Sequence, residues 1–370
     1  MTRKLRWLAA LTVLYVCVAA AARAEEPIII GQSAPLTGPA AALGKGIRDG
    51  ANAVFAKVNR AGGIGGRQIQ LLALDDGNDR KRAGANAKIL IDEKKAVVLF
   101  GFASATLSLD AIALAEAKGM ALFAPFSGSL SIRDKRPVFT IRASYRDESE
   151  KTIEYWAKFD ANRMAVIHYD DEVGKLNFET VAGLLKQKGH TPLQVTVKRG
   201  ASVDPALLLP IIKYDPQVII VTTQAPQLFD LINFMSVQKK AYPISALSFV
   251  NPDELAVVKG NIAQGAIVSQ VVPSPRSNGV AIVKECGETL AAAGTKLDYT
   301  TLEACIAAKV LVEGIKKGGK AITPQSIVTG LESLGAFDTG GFVVTFRPGA
   351  HHGSKWTDLS ILARAGVYRH

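Results

Sequence analysis

Residues 96–130, AVVLFGFASATLSLDAIALAEAKGMALFAPFSGSL, constrain the fold more than any other stretch of the chain. The apolar run 96–100 is short and dense enough for a buried strand. Residues 101–106 break it with small and hydroxyl side chains. Leu107, Ile112 and Leu114 then set a helical period that ends at Gly119, a residue suited to the position just past a helix. A second buried run, 120–124, leads into another small polar loop, 125–129. Two parallel strands joined by a helical crossover make a βαβ unit, and both loops leave the sheet at its carboxyl edge. Open α/β sheets bind small ligands at that edge, so these two loops are expected to form half of a ligand cleft.

At 370 residues the chain is long enough for two domains with full cores. Its first residues are not expected to belong to either. Arg3, Lys4 and Arg6 precede the apolar run 7–22, and Ala22-Arg23-Ala24 fits a small-x-small cleavage site. Residues 1–24 therefore read as a signal peptide, which places the mature protein outside the cytoplasm, in the periplasm. A lipid anchor at Cys17 is disfavoured because Val16 stands where a small residue is needed. Losing Arg3, Lys4, Arg6 and Arg23, and no acidic residue, leaves 40 basic and 33 acidic residues, a formal charge of +7. These charges are scattered without aromatic interleaving, which argues for a solvated surface and against nucleic acid. No later segment is apolar enough to span a membrane. Two cysteines remain, Cys286 and Cys305, each in a predicted helix on either side of the turn at 294–298. In an exported chain such a pair points to a disulfide; two buried thiols are the alternative, since Val283, Cys286 and Leu290 share one helix face.

In chain order, a buried strand at 27–31 exits through QSAPLTG (32–38) into a helix at 43–58. Residues 59–66, NRAGGIGG, have glycine spacing reminiscent of a dinucleotide site, but they follow a helix and precede a strand (68–74), the reverse of what that fingerprint requires. Asp75-Asp76-Gly77-Asn78-Asp79 ends the strand; without the twelve-residue loop and its terminal glutamate it reads as turn and cap rather than a Ca²⁺ site. After the βαβ unit come a strand at 138–142 and a crossing segment, 143–148. A second series then starts: helix 148–159, strand 164–169, helix 175–188, strand 193–197, helix 205–213, strand 218–222, helix 227–238, strand 244–249 and strand 266–270. The Pro-rich run 271–277 reads as another crossing. Helices at 280–293, 300–317 and 324–334 follow with no strands of their own, so they are expected to cover the first sheet. Residues 341–346 and 359–363 look β-like. The expected assignment is residues 25–143 plus 277–344 to a first lobe and 144–276 plus 345–370 to a second, with a hinge and a cleft between them.

No catalytic constellation emerges. His168, His190, His351, His352 and His370 lack metal-ligand spacing, and His351-His352 reads as part of a solvated loop. His168-Tyr169-Asp170-Asp171-Glu172 sits at a strand's carboxyl end, yet neither a nucleophile nor oxyanion donors accompany it. No enzyme activity, cofactor or metal is expected. Ser104 and Thr106, ahead of a helix, suit a carboxylate or another anionic oxygen, or they simply cap that helix.

The segments IIIGQSAPLTGPAAALGKGIRDGANAVFAKVNRAGGIGGRQIQLLALDDGND, VVLFGFASAT, FAPFSGS, VIHYDDEVGK and LSFV resemble the leucine/isoleucine/valine-binding family of type I periplasmic solute-binding proteins of ABC importers. The likeness covers essentially the whole mature chain. It implies two Rossmann-like lobes joined by a three-strand hinge, with a ligand trapped between them by hinge closure and handed to membrane permease subunits. Carried over position by position, it implies ligand contacts at Ser104, Ala105 and Thr106, with the family's hydroxyl falling on Ala105. It implies others at Phe126, Ser127 and Gly128, where the family has a small residue and a threonine. Leu43 stands in place of an aromatic, Val173 in place of the tyrosine of a D-x-x-Y-G turn, and Gln224 or Ala225 in place of another aromatic. The acid that pairs with a ligand ammonium falls near Ser248 or Phe249. Tyr145 joins the set from the first crossing, and Asp170 and Asp253 are the alternative anchors. Without a counter-charge a buried ammonium is strongly disfavoured, so an aromatic or aliphatic carboxylate is expected at least as readily as an amino acid. Import through ABC permease subunits by a soluble monomer is the leading expectation. A periplasmic sensor signalling to a membrane receptor shares the fold and is the alternative.

Overall fold

The computed structural model describes residues 26–363 and 368–369; the expected leader, 1–24, lies outside them. Buried runs alternate with amphipathic helices to build two parallel sheets. In the first, β1 (Ile28–Ala34), β2 (Ile69–Asp75), β3 (Val98–Phe100), β4 (Leu122–Phe123) and β5 (Val138–Phe139) run in the order β2-β1-β3-β4-β5. They alternate with α1 (Ala41–Arg60), α2 (Arg80–Lys88, prolonged by a π turn at Ile89–Glu93), α3 (Ala105–Ala117) and the short α4 (Leu130–Arg133).

The second lobe opens with α5 (Tyr145–Ala157) and continues through β6 (Met164–Tyr169), α6 (Glu172–Gln187), β7 (Leu193–Val197), α7 (Pro205–Tyr214) and β8 (Val218–Val221). It is completed by α8 (Ala225–Val237), β9 (Ile244–Ala246), α9 (Pro252–Lys259) and β10 (Ile267–Gln270). Its parallel strands lie in the order β7-β6-β8-β9-β10, the same winding as the first sheet.

The helices α10 (Ala281–Ala291), α11 (Tyr299–Lys317) and α12 (Pro324–Glu332) return to the first lobe. There α11 contributes Leu302, Ile306, Val310 and Leu311 to the same core as Ile47 and Phe55 of α1. Cys286 and Cys305 are joined, tying α10 to α11. Three segments pass between lobes, 139–145, 270–281 and 346–358.

The third passage comes later than residue 345. β12 (Val343–Phe346) pairs antiparallel with β11 (Gly335–Asp338), a strand that the sequence reading leaves out. Phe346 packs edge-on against Phe123 and Phe139 of the first lobe, and the turn beyond it stays there. The Thr140 amide donates to the His351 carbonyl at 2.9 Å, and the Gly353 amide to the Thr140 carbonyl at 2.7 Å. Burial of Phe346 therefore holds residues 345–353 on the first lobe. The chain then adds β13 (Asp358–Leu362) antiparallel to β10, followed by β14 (Tyr368–Arg369). His351 is correspondingly not in a solvated loop. It is buried, stacked on Phe139, with Nδ1 at 2.9 Å from the Arg136 carbonyl and Nε2 at 2.9 Å from Glu332.

The first passage is anchored by a buried ion pair. Arg142 meets Glu303 of α11 through two 2.8 Å hydrogen bonds, a bidentate pair withdrawn from water. Among the described residues no helix is long and apolar enough to cross a membrane.

Candidate functional site

The two sheets present their carboxyl edges to each other, and strand-exit loops from both sides meet there. On the first lobe, β3 exits through Gly101–Ser104 and α3 starts at Ala105. Ser104 is its N-cap, with Oγ accepting from the Leu107 amide at 3.3 Å. The first-turn amides of α3 have no helical partners, so this wall favours negative charge. The loop after β4 supplies Ser127, and Tyr145, the first residue of α5, comes from the first passage.

The second-lobe wall is built by the ends of β6, β7, β8 and β9. Tyr169 closes β6; its hydroxyl donates to Gln227 Oε1 at 2.7 Å and accepts from the Gln224 amide at 3.0 Å. Burial pushes this phenol up to about 12, so it remains a donor. Asp171 caps α6, accepting from the Gly174 amide at 2.7 Å. Arg199 follows β7. Its guanidinium lies over the Tyr169 ring at 3.8 Å, and Nε donates to Asp171 at 2.7 Å. Burial alone would raise the Asp171 carboxyl, but Arg199 outweighs it and holds the group below its ordinary value. The two terminal nitrogens of Arg199 have no protein partner among the described residues. Its side chain is only 15% exposed.

These loops enclose a central cavity of about 20 Å³, lined by Ala103, Ser104, Ala105, Ser127 and Tyr145 from one side and by Tyr169, Val173, Asn177, Arg199, Thr222, Gln224 and Phe249 from the other. Hydrogen bonds bind the walls together. Thr106 Oγ1 donates to Asp171 at 3.3 Å, Ser129 Oγ to Asn177 Oδ1 at 3.3 Å, and Asn78 Nδ2 to Gln224 Oε1 at 3.0 Å. A space of that size holds about one water, so the structure shows the lobes closed on each other. Larger spaces flank it: one of about 300 Å³ beside Asn78 and Gln224, and one of about 230 Å³ beside Leu43, Phe249, Asp253 and Glu254.

Ser104, Ala105, Ser127, Tyr145, Val173, Gln224 and Phe249 thus come together around one cavity. Leu43 lines the flanking space with Phe249 instead. Thr106 bridges the lobes through Asp171 without lining the centre. Phe126 is buried behind the wall, with the Arg142 guanidinium 5.5 Å from its ring centroid. Gly128 is pressed against Tyr145, where a Cβ would fall 2.7 Å from the ring. Ser248 is turned to Glu148, giving it both its amide (2.9 Å) and its hydroxyl (3.0 Å). Asp170 is exposed and lines none of these spaces; its neighbour Asp171 takes the inward place. His168 is buried within the sheet, bonded to the Tyr169 carbonyl and near Gln194 and Thr196, and burial lowers its pKa.

Among the described residues no carboxylate lines the central cavity. Glu148 lies close by, but it is fully occupied by Ser248 and by the Ser269 hydroxyl, and burial raises its pKa. The sequence reading places Tyr169 at a strand's carboxyl end without assigning it to the ligand set, and it misses Ala103, Asn177, Arg199 and Thr222. The last three sit just past the carboxyl ends of strands, or one turn into the following helix, and that position is the signal that could have found them.

Against known proteins, the family model described as periplasmic binding protein matches residues 27–360. An amino acid binding protein of Pseudomonas aeruginosa is 27% identical over 237 residues, 63% of this chain and 63% of its own length. A Leu/Ile/Val-binding protein homolog of Brucella abortus is 26% identical over 84% of both chains. A crystal structure of a possible leucine/isoleucine/valine-binding protein from Rhodopirellula baltica superposes with a TM-score of 0.88 at 25% identity, covering 94% of this chain and 96% of the other.

Proposed function

The chain belongs to the periplasmic binding protein family, a family of solute-binding proteins rather than enzymes, and from that premise we propose that it is the periplasmic solute-binding subunit of an ABC importer, capturing a small carboxylate by lobe closure and presenting it to permease subunits. The observation that carries the ligand class is Arg199. It supplies the charge of the central cavity, its terminal nitrogens are unengaged, and it faces a wall that includes the start of α3. A guanidinium fork opposite a helix N-terminus suits a carboxylate. A ligand ammonium would meet no counter-charge there, because Asp171 is held by Arg199 and Glu148 by its serines. Val173, Phe249, Tyr145 and Tyr169 give the rest of the cavity an apolar and aromatic lining, suited to an aliphatic or aromatic body.

A matched pair tests the reading. Isocaproate is leucine without its ammonium. In thermal-shift and calorimetric titrations isocaproate and phenylacetate are expected to bind, and leucine to bind at least tenfold more weakly than isocaproate. Tighter binding of leucine would overturn the ligand assignment and return the chain to ordinary amino-acid capture.

A further inference from the structure

The space of about 300 Å³ beside the central cavity is formed by equivalent loops of the two lobes, Gly77 and Asn78 after β2 and Gly200–Ser202 after β7, with Gln224 shared between the two spaces. Asn78 and Gln224 meet across the cleft, but one hydrogen bond does not satisfy two carboxamides. Among the described residues Asn78 Oδ1 and Gln224 Nε2 are both buried with no hydrogen-bond partner, and Gln224 is only 5% exposed. Turning both amides over preserves the balance, leaving one donor and one acceptor unmet. A buried amide group of this kind is costly unless something fills it. No neighbouring side chain does so: Gln227 is committed to Tyr169 and the Ala201 carbonyl, Asp230 to the Val203 amide, and Thr37 to Asp75.

We propose that Asn78 and Gln224 form a second recognition point, which selects carboxylates carrying a hydroxyl or carboxamide whose paired donor and acceptor complete the two amides. This rests on the carboxylate reading above. The central cavity and the outer space meet at Gln224 and at the Arg199–Gly200 link. A ligand with its carboxylate at Arg199 therefore extends its body toward Asn78. Opening the lobes parts Asn78 from Gln224, and closing them again over the ligand places its hydroxyl or amide between them.

The test compares probes that differ only in that group: para-hydroxyphenylacetate against phenylacetate, and succinamate against isocaproate, titrated calorimetrically into the wild-type protein, Asn78→Gly and Gln224→Leu. Asn78 has a φ of 65°, a conformation glycine adopts freely, so Asn78→Gly removes the amide without straining the turn. We expect the wild type to prefer the polar member of at least one pair tenfold or more, and that ratio to fall below threefold in both variants. Equal affinities within each pair, or a ratio that survives in both variants, would overturn the second recognition point while leaving the carboxylate reading intact. If none of these acids binds, the carboxylate reading fails and this inference falls with it.

Discussion

In each lobe the first strand runs into a helix whose glycine presses on the strand's exit. A Cβ on Gly44 would fall 2.1 Å from the Pro35 carbonyl, and one on Gly174 would fall 2.2 Å from the Tyr169 carbonyl. Strand order is the same as well. The contrast lies in the loop after each sheet's second strand. In the first lobe Asp75 ends that strand and Asp76 opens the loop, both turned to internal work. Asp75 fixes the β1 exit by accepting from the Leu36 and Thr37 amides and the Thr37 hydroxyl; burial pushes its carboxyl upward, but these bonds and that of Gly77 pull it well below the usual range. In the second lobe the same loop carries Arg199, whose terminal nitrogens are left for something else. The first lobe is also cross-linked where the second is not: among the described residues only it holds a disulfide, and Glu303 there anchors the first passage. One lobe is a stapled platform whose share of the cavity lining carries no charged side chain; the other brings Arg199.

That contrast is open to direct attack. The largest effect is expected from Glu303→Gln, which leaves the Arg142 guanidinium buried without its counter-charge. Loss of about 3–5 kcal/mol of unfolding free energy, read by denaturant titration, would sustain the ion pair as the anchor; a loss under 1 kcal/mol would contradict it. Replacing Cys286 and Cys305 together with alanine should cost about 3 kcal/mol in the chain-entropy account, with ligand affinity unchanged because the staple lies behind α1 rather than at the cleft. A matching drop in affinity would mean that the platform and the site are not separable.

Asp76 offers a pH test. Burial raises its carboxyl from 3.8 to about 6. Between those values the unfolded chain ionises while the folded one resists, so Asp76 makes the fold less stable as pH rises through that window, by up to about 3 kcal/mol. Asp76→Asn should flatten this part of the stability–pH curve, and an unaltered curve would refute the assignment. The smallest effect belongs to Ser104→Ala, which removes a helix cap worth about 1 kcal/mol and should weaken carboxylate binding by less than tenfold.

Much of this was legible in the sequence. The βαβ unit at its centre and the strand-exit loops that carry Ser104 and Ser127 follow from the residue pattern, whereas Val173, Gln224 and Phe249 follow only from the family resemblance. Arg199 was not, because nothing local separates it from the many basic residues that face water; only the register of β7 against β6 turns it toward Tyr169. Asp171 rather than Asp170 takes the inward place because helix phase at a cap shifts by one residue without leaving a trace in the pattern. The late third passage was hidden for a similar reason. Phe346 ends a short strand whose partner, Gly335–Asp338, has too little apolar alternation to announce itself.

The central claim is that Arg199 gives this cleft its preference for carboxylates. Calorimetric titration of phenylacetate into the wild-type protein and into Arg199→Leu tests it most directly. Loss of a charge-assisted pair worth about 1.5–3 kcal/mol predicts affinity falling at least tenfold in the variant, with the fold retained by circular dichroism; an unchanged dissociation constant would contradict the account.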